Sequence, residues 1–333
     1  MNNSTRIKYN KLLAVQAALY GVQAMTVPFN VDPKGAQRLI SGIQQSDAFL
    51  QMINMPTVDN MVGDSVIMGV SGLTASRTDT AANSRQPNYV HSATANGWSC
   101  QQINFDTALT YAQLDSWAHM RDFGKIVSAQ ILRANSLSLI SMGWNGVEIV
   151  ADSDIAANPL LTDCAEGWLQ KLKDRNPDNY LDTDNIIITD ENNIDVIINQ
   201  MKNALKEPEK QSPDLVVILG SDLFAYNKDR LYAANGNTPS EKSKTEMRQV
   251  VETFGGMPAF SVPYFPSRGI LVTTFTNLSI YIHSGSMRRS VEDEMKRNRI
   301  ITYSSKNIDY VVENLDLMVY IDSEKVFFEG ETP

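Results

Sequence analysis

The apolar positions of the first fifty residues fall into two helices. From Thr5 to about Ala24, residues Ile7, Leu12, Leu13, Val15, Leu19 and Tyr20 form one broad side, and Gly21 weakens the end. Asp32-Pro33 reads as a helix start, with a capping carboxylate followed by proline in the first turn, and the pattern carries that helix to about Phe49. The period then shortens. "INMPTV" and "DSVIMGV" read as short strands, and Ile103, Phe105, Thr107, Leu109 and Tyr111 alternate with polar or small residues as in a half-buried strand. Between these strands runs a polar excursion, Thr74–Trp98, in which Val90 is the single sizeable aliphatic. A linker, a lid or an arm reaching a neighbour would each look polar. Strands on both sides favour a hairpin-like loop projecting from one body.

The longest helical stripe is Leu114 to Met142, ended by "GWNG"; at about 1.5 Å per residue it spans roughly 40 Å. Further on, "NPLLTDCAEGWLQKLKDRNPDN" begins as a loop and becomes a helix, and Ile194–Leu205 is helical. "PDLVVILGSDLFAY" reads as a buried strand, a glycine turn and a helix. "MPAFSVPYFP", "GILVTTF" and "LSIYIHS" read as strands, "MRRSVEDEMKRNR" as a charge-rich connection, and "YVVENLDLMVYID" and "EKVFFE" as closing strands. Helices and strands mix without regular βα alternation, which predicts an α+β fold.

Composition narrows the function. The 333 residues are 43% hydrophobic and 20% charged, enough apolar material for a core. A net charge of −9 disfavours sequence-reading nucleic-acid binding, which needs clustered cations. Cys100 and Cys164 lack metal or redox spacing, and no apolar run is long enough to cross a membrane. His91, His119 and His283 lie in different elements, His119 reading as a packing residue beside Trp117. No nucleophile elbow, phosphate-binding glycine loop or calcium-loop spacing is present; "DSDIAAN" reads as a capped loop. No convergent catalytic set emerges, so catalytic, cofactor and metal sites are expected to be absent. The run Arg288, Arg289, Glu292, Asp293 and Glu294 alternates in sign; it is either a solvated face or a patch that pairs between subunits.

Ten blocks, in order from Ser71 to Glu313, carry a family resemblance: "SGLTASRTDT", "RQP", "QINFD", "LDSWA", "NPLLTDCAEGWLQK", "DLVVILG", "VPYFP", "NLSIYIHS", "RRSVEDE" and "NIDYVVE". "TRIKYN" and "FNVDP" extend it towards the N-terminus. The chain resembles the major capsid proteins of peduovirus-type tailed phages, which have the HK97-like capsid fold. That resemblance implies an N-terminal basic helix as a cleaved propeptide (1–29), an N-arm and first strands (30–68), an extended E-loop (69–105), a peripheral domain (106–212) with a spine helix at 114–142, an axial domain (213–302), and return strands (303–333). It implies pentamers and hexamers closing into an icosahedral head around double-stranded DNA, held without sequence-specific binding. Partners would be copies of the chain, an internal scaffold, a maturation protease and a portal protein, with no membrane. Assembly would take place in the host cytoplasm.

The implied cut lies close to Phe29–Asn30. It removes Arg6, Lys8 and Lys11, the only charges before Asp32, and takes the net charge from −9 to about −12. Arg77, Asp79, Arg85, Tyr89 and Trp98 are the expected intersubunit contacts of the E-loop. No lysine occurs between Lys34 and Lys125, so a lysine-based crosslink from this arm is excluded and a non-covalent shell is expected. Two rival readings stand beside this one: a cellular nanocompartment shell of the same fold, and an α+β enzyme whose site the sequence does not reveal.

Overall fold

The structure is a computed structural model; it describes residues 1–70, 75, 77, 78, 84, 91–120, 122–189, 191–207, 209–227 and 253–331. Its N-terminal helix, Asn3–Tyr20, stops at Gly21, whose φ of +67° lets the Val22 N–H reach the Ala17 carbonyl at 2.9 Å. Asp32 opens the next helix, Pro33–Gln45, by accepting from the Lys34 N–H. That helix does not run to Phe49. The buried Asp47 carboxylate accepts from the Phe49 N–H at 2.8 Å and starts a separate turn, Ala48–Met52. Arg133 pairs with the same carboxylate.

The expected helix 114–142 is two helices, Tyr111–Trp117 and Phe123–Asn145. The first is set by a capping box in which Thr110 and Gln113 satisfy each other's backbone N–H groups. The apolar stripe runs unbroken through the gap, since Leu114, Ala118, Phe123 and Val127 are all buried. Periodicity alone could not show the break. The second helix is the spine, about 34 Å long. Its last turns are enclosed on every side, with Leu139, Ile140, Ser141, Met142, Gly143 and Trp144 all buried. Trp168 lies where a side chain at Gly143 would stand, which brings helix Trp168–Arg175 against the spine. Trp144, Trp168 and Phe49 meet with ring centroids 4.8 to 6.1 Å apart. Tyr310 donates to the Leu139 carbonyl at 2.8 Å, tying the spine to the sheet below.

That sheet has seven strands around one long strand, Arg299–Val312, which pairs with Leu278–His283, Arg288–Glu294, Gln101–Asn104 and Thr107–Thr110. Phe29–Asn30 and Thr57–Val58 close its two ends. A second sheet runs in the order Thr253–Phe254, Met257–Phe260, Val216–Leu219, Ile270–Thr273, Val319–Ile321, Tyr180–Leu181. Three of its four inner strands, Val216–Leu219, Ile270–Thr273 and Val319–Ile321, are buried at every residue, as their continuous apolar runs require. Helix Ile194–Ala204 packs against it, and residues 221–227 form the helix expected after the Gly220 turn.

The sheets do not divide the chain at 213 and 303. Residues 278–302, expected in the axial segment, belong to the seven-stranded sheet, and Val319–Ile321, expected among the return strands, belongs to the other. Hydrogen-bond pairing across distant sequence decides sheet membership. The charge-rich "RRSVEDE" is a strand, with Arg289 and Val291 turned inward.

Candidate assembly site

Val62–Val70 and His91–Ser99 form an antiparallel ribbon, in register from Val62↔Ser99 to Val70↔His91. At about 3.4 Å per residue, nine residues give it a length of roughly 30 Å. Among the described residues no third strand joins it, so both edges keep unpaired backbone groups. The ribbon starts at residue 62 and ends at 99, ahead of the expected span 69–105. The polar excursion is itself strand from His91 onward, because the backbone pairing with Val62–Val70 that forms it needs no apolar side chains.

Its base is fixed by buried polar groups. Asn96 donates to the carbonyls of Val312 at 3.0 Å and Glu313 at 2.8 Å. The Glu313 carboxylate accepts from Ser65 (3.0 Å), Ser279 (2.6 Å) and Tyr281 (3.0 Å). The Ser99 N–H donates to Asp309, which also pairs with the buried Lys171. Desolvation pushes the Lys171 pKa down, against the raising pull of Asp309. Trp98 stands edge-on to Tyr281 at 5.0 Å and covers Gly63, within its own subunit. Of the other expected arm contacts, Arg77 is exposed; Asp79, Arg85 and Tyr89 lie outside the described residues. Sequence reasoning missed Asn96, Asp309, Glu313 and Lys171. Only Lys171 left a signal, as a cation on the apolar face of "WLQKL".

The charged run is split by the fold. Arg289 is buried and donates to the Tyr20 hydroxyl at 2.9 Å, with its guanidinium over the Tyr20 ring. Asp293 pairs with Arg6 and accepts from Tyr111; hydrogen bonds from these two offset the upward push of burial and leave its pKa lowered. Glu294 pairs with Arg299 and Arg297. Arg288, Glu292 and Asp293 are the exposed members of the run, and Asp293 is already paired. The sequence could not show this, because the partners of Arg289 and Asp293 lie more than 180 residues away. Phe29–Asn30 is held as an edge strand against Arg288–Arg289. The segment before it is well seated: Tyr9, Ala17, Tyr20 and Met25 are buried, and the terminal amine lies 3.7 Å from Asp115.

Little points to catalysis. His119 is exposed on a turn, so its expected packing role does not hold; it lies in the gap between the two helices. His283 meets the Asp59 carbonyl at 3.0 Å. Asp154 accepts from the Ala156 and Ala157 N–H groups, a capped loop as expected. Among the described residues no cluster of His, Cys, Asp or Glu could hold a metal. Burial pushes the Cys100 thiol up to about 11, which keeps it protonated and inert at neutral pH.

A spine helix laid across one sheet, a second sheet beside it and a two-stranded arm are the parts of a phage capsid subunit of the HK97-like fold. A solved chain from the satellite phage P4 procapsid including size determination (Sid) protein is 35% identical and superposes with a TM-score of 0.70, over 88% of this chain and 99% of that one. The family model described as phage major capsid protein, P2 family, matches residues 8–323, and the chain belongs to that family. The major capsid protein of Serratia phage KSP20 is 35% identical over 97% of both chains. The capsid proteins of Escherichia phage P2 are 36% identical, over 98% of this chain and 96% of the relative. The chain is thus a major capsid protein of a tailed phage, and its relatives are structural proteins of the virion.

Proposed function

We propose that this chain is made as a precursor, assembles into pentamers and hexamers, and closes into an icosahedral head around double-stranded DNA. The observation that carries this reading is the ribbon Val62–Val70/His91–Ser99, held firmly at its base and unpaired along its length. Such a ribbon can add backbone hydrogen bonds at a neighbour's edge. In this reading it is the E-loop, the spine helix and seven-stranded sheet are the peripheral domain, and the six-stranded sheet is the axial domain at the capsomer centre. Exposed Arg77, Arg288 and Glu292 meet adjoining subunits, and Asp79, Arg85 and Tyr89 are assigned to the same contacts. The shell is held without covalent crosslinks from the arm. A net charge of −9 suits a wall that confines DNA without counterion-releasing contacts to it. Scaffold, protease and portal act during assembly in the host cytoplasm.

Trimming near Phe29–Asn30 completes the proposal. An edge strand of two residues is easily peeled into the extended form a protease binds. N-terminal sequencing of mature particles tests it: a start close to Asn30 is expected, and an intact Met1 or Asn2 contradicts it.

A further inference from the structure

The spine helix Phe123–Asn145 carries a different exposed surface at each end. At its N-terminal half a groove of about 810 Å³ opens between this helix, the N-terminal helix and helix Pro33–Gln45. Leu12, Val15, Leu19 and Leu39 supply its aliphatic wall. Its charges are Lys8, Lys11, Arg38, Lys125 and Arg289 against the acid Asp122, a local reversal in a chain of net −9. The buried Arg289 also keeps an Nε with no hydrogen-bond partner.

At the other end, the loop after the helix has the opposite character. Val147, Ile149, Val150, Ile155 and Leu160 are all exposed, Ile155 at 69%. The chain has no lysine or arginine between Arg133 and Lys171, while Glu148, Asp152 and Asp154 face solvent. This ridge is rigid. The Val147 N–H donates to the Thr162 carbonyl at 2.8 Å, Ser141 donates to the Leu160 carbonyl at 2.8 Å, and Asp163 accepts from the Asp154 N–H at 2.8 Å. Leu161 is held at a φ of +61°, a conformation that a leucine adopts only where its surroundings impose it. An ordered apolar ridge left exposed marks a contact surface.

We propose that the acidic, aliphatic ridge 147–160 of one copy seats in the basic, aliphatic groove of a second copy while residues 1–29 are still attached. Charge complementarity selects the partner: within one chain the two surfaces match in apolar character and oppose in sign. They stand at opposite ends of one helix, so a single copy cannot satisfy itself, and the contact is head-to-tail. Head-to-tail contacts make rings when their rotation closes. Trimming would remove Lys8, Lys11, Leu12, Val15 and Leu19 and dismantle the groove, so the contact belongs to the precursor.

The proposal rests on the shell reading only in that copies must meet. The test uses the full-length chain with residues 1–29 retained, assembled and collected by sedimentation. Val15→Cys combined with Ile155→Cys, and separately Leu19→Cys with Ile149→Cys, places thiols at exposed positions on the two surfaces. Oxidation is expected to give a ladder of crosslinked oligomers, dissolved by dithiothreitol and absent from each single variant. Glu148→Lys with Asp152→Lys is expected to lower the assembled fraction at least tenfold, and adding Lys11→Glu with Lys125→Glu to restore most of it. Particles that form normally while neither cysteine pair gives a ladder overturn the contact and leave the shell reading intact. A wild-type chain that forms no particles overturns the shell reading, and the contact with it.

Discussion

Lys306 lies on the core face of the long strand, fully buried, with its ammonium 4.2 Å from the Phe105 ring centroid and no hydrogen-bond partner. The aromatic face attracts the cation by about 2 kcal/mol, whereas stripping an ion of water costs several kcal/mol. Desolvation wins, and the pKa falls from 10.5 to about 7. In the unfolded chain the amine keeps its proton up to pH 10.5; in the folded chain it loses it near 7. Between those values the unfolded state binds more protons, so stability rises with pH, approaching about 1.4 kcal/mol per unit. Below about 7 both states are protonated and the dependence vanishes. Integrated from pH 7 to pH 9, the gain is about 2 kcal/mol. Lys306→Met keeps the apolar stem and removes the titration. The variant should be more stable than the wild type at pH 7, with an advantage about 2 kcal/mol smaller at pH 9. Urea titration of the unassembled chain at both values, read as the difference between the two proteins, cancels every other titrating group. The same difference at both pH values would refute the reasoning, because the amine would then be keeping its proton inside the fold.

Other outcomes follow from the contacts of the arm and the N-terminal segment. Tyr20→Phe removes the hydroxyl that accepts from buried Arg289, and should lower the stability of the full-length chain by about 1.5–3 kcal/mol in urea titration; an unchanged midpoint would contradict this. Glu313→Ala strips the acceptor from Ser65, Ser279 and Tyr281; a loss of about 2–3 kcal/mol is expected, with faster amide exchange at the ribbon's base than at the spine helix.

Where local chemistry sets structure, the sequence was readable. Asp32-Pro33 starts a helix, and the runs in "DLVVILG" and "GILVT" are buried strands, because a cap or a continuous apolar run acts within a few residues. The long strand was legible only from Tyr310, because Thr302, Ser304 and Lys306 interrupt its inward face between the buried Ile300 and Ile308. Thr302 and Ser304 line the groove beside the N-terminal helix, where polar side chains take the place of the usual apolar alternation. The arm could be found by its flanks, but its base could not. Asn96 and Ser65 acquire their meaning from Glu313, more than 210 residues away. Arg289 and Asp293 looked free to pair with another copy because Tyr20 and Arg6 were invisible as partners until the chain was folded.

The central claim is that the ribbon serves a neighbour more than its own subunit. Replacing residues 67–94 with a short turn, which removes most of the paired strands and leaves the anchors Ser65 and Asn96 in place, tests it by electron microscopy of the sedimented product beside the unaltered chain. The account predicts closed shells from the full chain, and from the shortened one a soluble subunit of unchanged melting temperature that builds no stable shell. Shells of normal form and yield from the shortened chain would contradict it.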